Sequence, residues 1–141
     1  PATSTSIRAS SSIFSPANLR ATQDHPGYRQ LIDEYLASGR TLRYTGAVAS
    51  DVYQQFSKGQ GAFFNPASPN APAKLRLVFE AAPLALLVEK AGGASSDGVS
   101  GNSLLDLPVT ATDQRTALGL GCREDVQRFN QSTAEVQGEG K

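Results

Sequence analysis

Apolar residues recur along this chain at two spacings, and the switching between them predicts its architecture. Tyr28, Leu31, Ile32 and Tyr35 follow the i, i+3, i+4, i+7 rule of a helix with one buried face. Asp24 is the expected cap of that helix, Pro26 lies near its first turn, and Gly39 is the natural stop. Residues 48–56 predict a shorter helix closed by Gly59. Leu84, Leu87, Val88 and Ala91 share one face of a further helix that ends at Gly92-Gly93, and 123–131 predicts a last one. Between these, 41–45, Ala62–Asn65, Ala94–Ser96 and 116–120 read as short strands. Residues 66–72 carry three prolines and read as a loop. Strands and helices alternating at this length argue for α/β layers rather than a bundle.

The ends break the pattern. Residues 1–12 are rich in Ser and Thr with Arg8 as the only charge, a composition that predicts a flexible segment. Acid-poor, serine-rich starts also occur in organelle transit peptides, but this one is short and close to the core, so the linker reading is preferred. Residues 131–141 carry Gly138, Gly140 and mixed charges without periodicity, and are expected to fray. The folded unit is therefore expected over 13–130. Asn130-Gln131-Ser132 matches the glycosylation tripeptide. It is discounted in a chain that has no disulfide framework.

Composition narrows the function classes. At 141 residues, 39% hydrophobic and 18% charged, the chain is one ordinary globular domain with a core of its own. Lys plus Arg equals Asp plus Glu at 13 each, so no global field recruits nucleic acid or an anionic membrane. No apolar run approaches the roughly 20 residues that span a bilayer. The single cysteine, Cys122, excludes an internal disulfide and a multi-cysteine zinc site. The sequence opens on Pro1 and holds no methionine, and it is read as part of a longer product.

Candidate chemistry gathers in 74–93, K-L-R-L-V-F-E-A-A-P-L-A-L-L-V-E-K-A-G-G. Lys74 suits a phosphate. Glu80, shortly before Pro83 and the helix start, suits a hard divalent cation such as Mg²⁺, which takes oxygen ligands and only one or two carboxylates. A glutamate near a helix N-terminus is also commonly a cap, and spacing alone favours that reading. Arg43-Tyr44 can clamp a phosphate with the guanidinium fork and the phenol, or be a surface arginine beside a half-buried aromatic. Arg76 adds charge to the same locality or pairs with Glu80. Asn18 and Arg20, in S-P-A-N-L-R, can reach a ligand or close a turn. His25, the only histidine, sits in a helix-capping segment, which argues against a Ser-His-Asp triad. Cys122 reads as packing. Gly119-Leu120-Gly121 lacks the third glycine of a dinucleotide fingerprint, and no GK[ST] loop is present.

The blocks T-L-R-Y-T-G, D-V and A-K-L-R-L-V-F-E-A-A-P-L-A-L-L-V-E-K-A-G-G resemble the C-terminal half of the class I fructose-1,6-bisphosphatase family. The flanking I-F-S-P-A-N-L-R-A-T, S-S-D-G and D-Q-R-T look most like its chloroplast sedoheptulose-1,7-bisphosphatase branch. The resemblance covers 13–129. It implies the layered αβα C-terminal domain of that fold, a mixed sheet flanked by helices. It implies a Mg²⁺-dependent hydrolase converting sedoheptulose 1,7-bisphosphate to sedoheptulose 7-phosphate and phosphate, a Calvin-cycle step in the chloroplast. Residue by residue, it places Glu80 on a metal-ligand glutamate and Lys74, Tyr44 and Asn18 on contacts to the distal sugar phosphate. Arg43 falls on an arginine that reaches across a homodimer interface, and Val48 on a residue lining the sugar.

Two departures accompany the resemblance. Fructose enzymes usually carry tyrosines where this chain has Ala21 and Phe64, which suits a longer, seven-carbon sugar. The acidic motifs that build most of the family's metal site are absent, so the chain alone is expected to be inactive and to expose apolar surface. Two alternatives stand beside the leading one: a fructose-1,6-bisphosphatase, chloroplast or cytoplasmic, and a non-catalytic sugar-phosphate-binding fragment.

Overall fold

The computed structural model describes residues 7–139, with side chains as far as Thr133. Strands β1 (Ile13–Pro16), β2 (Thr41–Leu42), β3 (Ala62–Asn65), β5 (Ala94–Ser96) and β7 (Leu118–Gly121) form one sheet in the order β2-β1-β3-β7-β5. β1 runs parallel to β2 and β3, and β7 runs antiparallel to β3 and β5, so the sheet is mixed. A separate two-stranded ribbon joins β4 (Leu75–Arg76) to β6 (Arg115–Thr116). The helices are α1 (Pro26–Ala37), α2 (Val48–Lys58), α3 (Ala82–Lys90) and α4 (Arg123–Glu139).

Strand alternation divides the core in two. In β3, Phe63 packs with Val52 of α2 and Val88 of α3, whereas Ala62 and Phe64 pack with Tyr28 and Tyr35 of α1 and Phe129 of α4. The α/β layers predicted from the element pattern, in the αβα arrangement that the resemblance implies, are therefore what forms. Each fully buried Phe or Leu contributes about 1.5–3 kcal/mol of transfer free energy. Phe64 and Phe129 stack at 5.1 Å between ring centres, and this fixes where α4 lies on the sheet.

Glycines set those approaches. A Cβ on Gly119 would meet the Phe129 ring at 2.6 Å, and one on Gly121 would meet the Gly61 carbonyl at 2.2 Å. The G-L-G run is thus a packing device for helix on sheet and strand on strand, not a nucleotide loop.

Several expectations need correction. Strand β1 was not foreseen, because Pro16 closes a four-residue run too short for its period to register. The strand expected over 41–45 stops at Leu42, with one further bond from the Arg43 amide to Phe14 O at 3.0 Å. The strand expected over 116–120 divides between two sheets around Ala117. Asp24 does not cap α1: His25 occupies the N-cap and makes no side-chain cap bond. On α3 the expected common face is only partly buried. Val88 and Ala85 are covered, but Leu87 is 54% exposed.

The boundaries shift too. From Ile7 onward the segment expected to be flexible is fastened: Ile7 is buried, and its amide donates to Ala91 O at 2.8 Å. The Arg8 amide donates to Gly59 O at 2.9 Å. Residues 1–6 lie outside the described residues. Helix α4 continues past Gln131 to Glu139, with Ser132 and Thr133 buried and both hydroxyls donating to Phe129 O. Residues 140 and 141, and the side chains of 134–139, lie outside the described residues. Burial of Ser132 within a helix agrees with discounting the glycosylation tripeptide.

Candidate functional site

Strand β1 carries the chain to Asn18, which sits in the left-handed region at φ 53° and starts a short 3-10 turn over Leu19–Gln23. Asparagine tolerates that conformation better than most residues. Its Nδ2 donates to Pro66 O at 2.8 Å and to Ala71 O at 2.9 Å. Both partners are carbonyls, so the network itself fixes which end of the amide is nitrogen. The 66–72 loop is held at further points. Ser68 and Ala71 exchange backbone bonds at 3.0 and 3.1 Å, and Asp24 accepts from the Asn70 amide at 3.1 Å and from Asn70 Nδ2 at 2.9 Å. The His25 ring bonds Ala67 O through Nε2 at 2.9 Å. His25 and Asp24, read from sequence as helix-start residues, thus fasten the proline loop.

Fixing that loop against the Asn18 turn leaves a recess of about 370 Å³. Lys74, Tyr44, Asn18 and Arg20 line it, with Asn65 and Pro72. Three segments far apart in sequence converge here, and no carboxylate among the described residues lines the cavity. Below the rim, the buried Tyr28 hydroxyl donates to Ala17 O at 2.7 Å. Burial pushes that phenol well above its ordinary range, so it stays a fixed donor.

The predicted residues divide. Asn18, Tyr44 and Lys74 come together, but both Nδ2 hydrogens of Asn18 are committed to carbonyls, so its side chain builds the recess rather than offering donors within it. Arg43 is exposed and does not line the recess. Val48 opens α2 and packs on the α2–α3 side of the core, also outside the recess. Ala21 and Phe64 are buried among Tyr28, Tyr35 and Phe129, so neither position presents a hydroxyl to the recess. Asn65 was missed; its one sequence signal is its place at a strand end immediately before Pro66.

Glu80 lies in a π-helical turn, Leu77–Ala81, that leads into α3. Its Oε1 accepts from the Arg76 amide at 2.8 Å, which is the capping role. Among the described residues no group of three or more His, Cys, Asp or Glu is placed to hold a metal ion. One carboxylate does not make a divalent-cation centre, so the residues present do not by themselves fit one.

Two other titratable groups are structural. Cys122 is buried, and burial raises its thiol away from the reactive thiolate. Asp125 is buried and accepts from the Ser11 amide at 2.9 Å and from the Tyr35 hydroxyl. Burial pushes this carboxyl above its ordinary value, against the opposing pull of those bonds and of Arg40 and Arg128.

The family described as "Fructose-1-6-bisphosphatase, C-terminal domain" matches residues 7–134. The chain is 50% identical over 119 residues to a chloroplastic sedoheptulose-1,7-bisphosphatase of Chlamydomonas reinhardtii, covering 84% of this chain and 31% of that protein. It is 40% identical over 122 residues to a class 1 fructose-1,6-bisphosphatase of Syntrophotalea carbinolica, covering 86% and 37%. A Toxoplasma gondii crystal structure, described as a candidate sedoheptulose-1,7 bisphosphatase, superposes with a TM-score of 0.89 at 49% identity. That match covers 94% of this chain and 42% of the other. The chain thus spans about a third of the length of the curated relatives it matches.

Proposed function

Since the chain belongs to the fructose-1,6-bisphosphatase C-terminal domain family, we propose that it forms the phosphate-holding part of a sugar bisphosphatase, with sedoheptulose 1,7-bisphosphate as substrate. The observation that carries this reading is the recess itself. A cation, a phenol and an arginine converge on an acid-free cavity that two hydrogen bonds from Asn18 hold in shape. Such a cavity suits the terminal phosphate that is retained while the other is removed. The ammonium of Lys74 supplies a point charge, and the Tyr44 hydroxyl can donate to a phosphate oxygen. Both residues are exposed and bind without having to desolvate a buried charge.

Mg²⁺ is the cofactor this reading proposes for the whole protein, where it would supply Lewis-acid polarisation of the phosphoryl group transferred to water. Among the described residues Glu80 is the carboxylate that would contribute to it, and further ligands would come from outside the described residues. The exposure of Arg43 beside edge strand β2 is compatible with its proposed role between two copies of the chain. The chloroplastic relatives support a chloroplast location and a place in carbon fixation.

Phosphate release by the whole protein, measured with Mg²⁺ on sedoheptulose 1,7-bisphosphate and fructose 1,6-bisphosphate, tests the reading. The expected result is higher catalytic efficiency on the seven-carbon substrate. Lys74→Ala should raise KM by about tenfold or more, the worth of one charge-assisted contact. The 40% identity to a bacterial fructose enzyme is what favours the second reading, and a fructose preference would establish it. Release from neither substrate would overturn both. The chain on its own is expected to release no phosphate, because it brings one carboxylate to the metal.

A further inference from the structure

A phosphate ester carries close to two negative charges at neutral pH, with a second pKa of about 6, and its oxygens accept hydrogen bonds only. Holding it requires donors and about two positive charges. Lys74 supplies one charge. The Asn18 side chain has no donor to spare, because both its amide hydrogens go to Pro66 O and Ala71 O. The remaining cation in the recess is Arg20, two residues past Asn18 on the 3-10 turn. It is exposed, and the ion pair found among the described residues, Arg29 with Asp33, does not involve it. One clamp holds both cations. Asn18 ties the turn that carries Arg20 to the loop that leads to Lys74, so the two face one cavity that no carboxylate among the described residues lines.

We propose that Arg20 is the second cation of the recess and binds the terminal phosphate of the sugar together with Lys74, selecting the dianion over the monoanion. The planar guanidinium offers paired N–H donors that match two phosphate oxygens, which a lysine cannot do. Arg20 is therefore a binding residue that sets which end of the sugar is anchored, while Asn18 positions it. The inference rests on the reading of the recess as the terminal-phosphate site.

The test uses the full 141-residue chain, titrated with sedoheptulose 7-phosphate, inorganic phosphate and unphosphorylated sedoheptulose. Binding is followed by calorimetry and by amide chemical shifts between about pH 5 and pH 8, a range that brackets the second phosphate pKa. Affinity for the two phosphates is expected to rise with pH through that range, and the free sugar to bind much more weakly. Arg20→Ala should weaken phosphate binding by about tenfold or more and flatten its pH dependence, with an unchanged urea midpoint. Arg20→Lys should restore the pH dependence but only part of the affinity. Wild-type affinity and pH profile in Arg20→Ala, alongside lost binding in Lys74→Ala, would sink the role of Arg20 alone. If the wild-type chain and Lys74→Ala bind phosphate equally, or neither binds it, the reading of the recess fails and the inference with it.

Discussion

At the scale of single residues, two polar side chains do structural work that their types do not announce. Asn18 spends its donors on Pro66 O and Ala71 O, closing a loop whose own backbone has few internal partners. Asp125, inside the core, ties both the Ser11 amide and the Tyr35 hydroxyl of α1 to α4. Burial holds this carboxyl above its ordinary value of 3.8. Between that value and the raised one, the folded chain keeps a proton that the unfolded chain has released. Stability therefore falls as pH rises through that window. Asp125→Asn is expected to remove this slope. Tyr35→Phe, which deletes a bond that favours the ionised form, should extend the window upward and cost about 1–3 kcal/mol at neutral pH. Urea midpoints collected from about pH 4 to pH 7 read out both; an unaltered slope in Asp125→Asn would count against this account.

At the scale of elements, the sheet admits its helices through missing side chains. Gly119 leaves room for the Phe129 ring, and Gly121, at φ 140°, passes close to the Gly61 carbonyl. The two sites differ in what must yield. Gly119→Ala presses a methyl on a ring that has some freedom to tilt, and is expected to cost about 1–3 kcal/mol, the usual range for overpacking. Gly121→Ala meets backbone in a conformation that disfavours a side chain, and should cost more. Thermal and urea unfolding of the two variants check the ranking. Equal losses would mean that the strands separate as readily as the ring moves. The elements were largely legible in the sequence: α1 from its four apolar positions, β3 from its flanking turns, α2 from Gly59. What was illegible depended on partners. Strand β1 is defined by lying between β2 and β3, and Leu87 stays exposed because nothing among the described residues packs against its side of α3.

At the scale of the whole molecule, the described chain has one face that its own core does not cover. A groove of about 910 Å³ between α2 and α3 is lined by Tyr53, Phe56, Leu84 and Leu87, with Tyr53 70% exposed. Large exposed apolar patches promote association. The double variant Tyr53→Lys with Leu87→Lys is expected to reduce self-association and dye binding at high concentration without altering the fold. Sedimentation and light scattering against circular dichroism measure this, and unchanged association would place the sticky surface elsewhere. Val48 and Glu80, the sugar-lining and metal candidates, do not line the recess. Val48 and the Leu77–Ala81 turn that carries Glu80 pack on the α2–α3 side of the sheet, while the recess sits at the end of β1 and β3.

The sequence by itself determined the layered α/β class, the four helices and the family. Apolar periodicity and long local blocks such as 74–93 survive without knowledge of the fold. It also named Lys74, because a cation's suitability for phosphate is intrinsic to the residue type, and Tyr44 through the family resemblance. Only the tertiary structure decided that Asn18 is a clamp and that Arg20 shares a cavity with Lys74; for Glu80 it supplied the capped partner, the Arg76 amide, for a role that spacing already favoured. Those roles depend on which carbonyl, cation or amide lies within about 3 Å, a distance at which hydrogen bonds form. The chain sets such distances only once loops such as those of Asn18 and Pro66, 48 residues apart in sequence, are folded against one another.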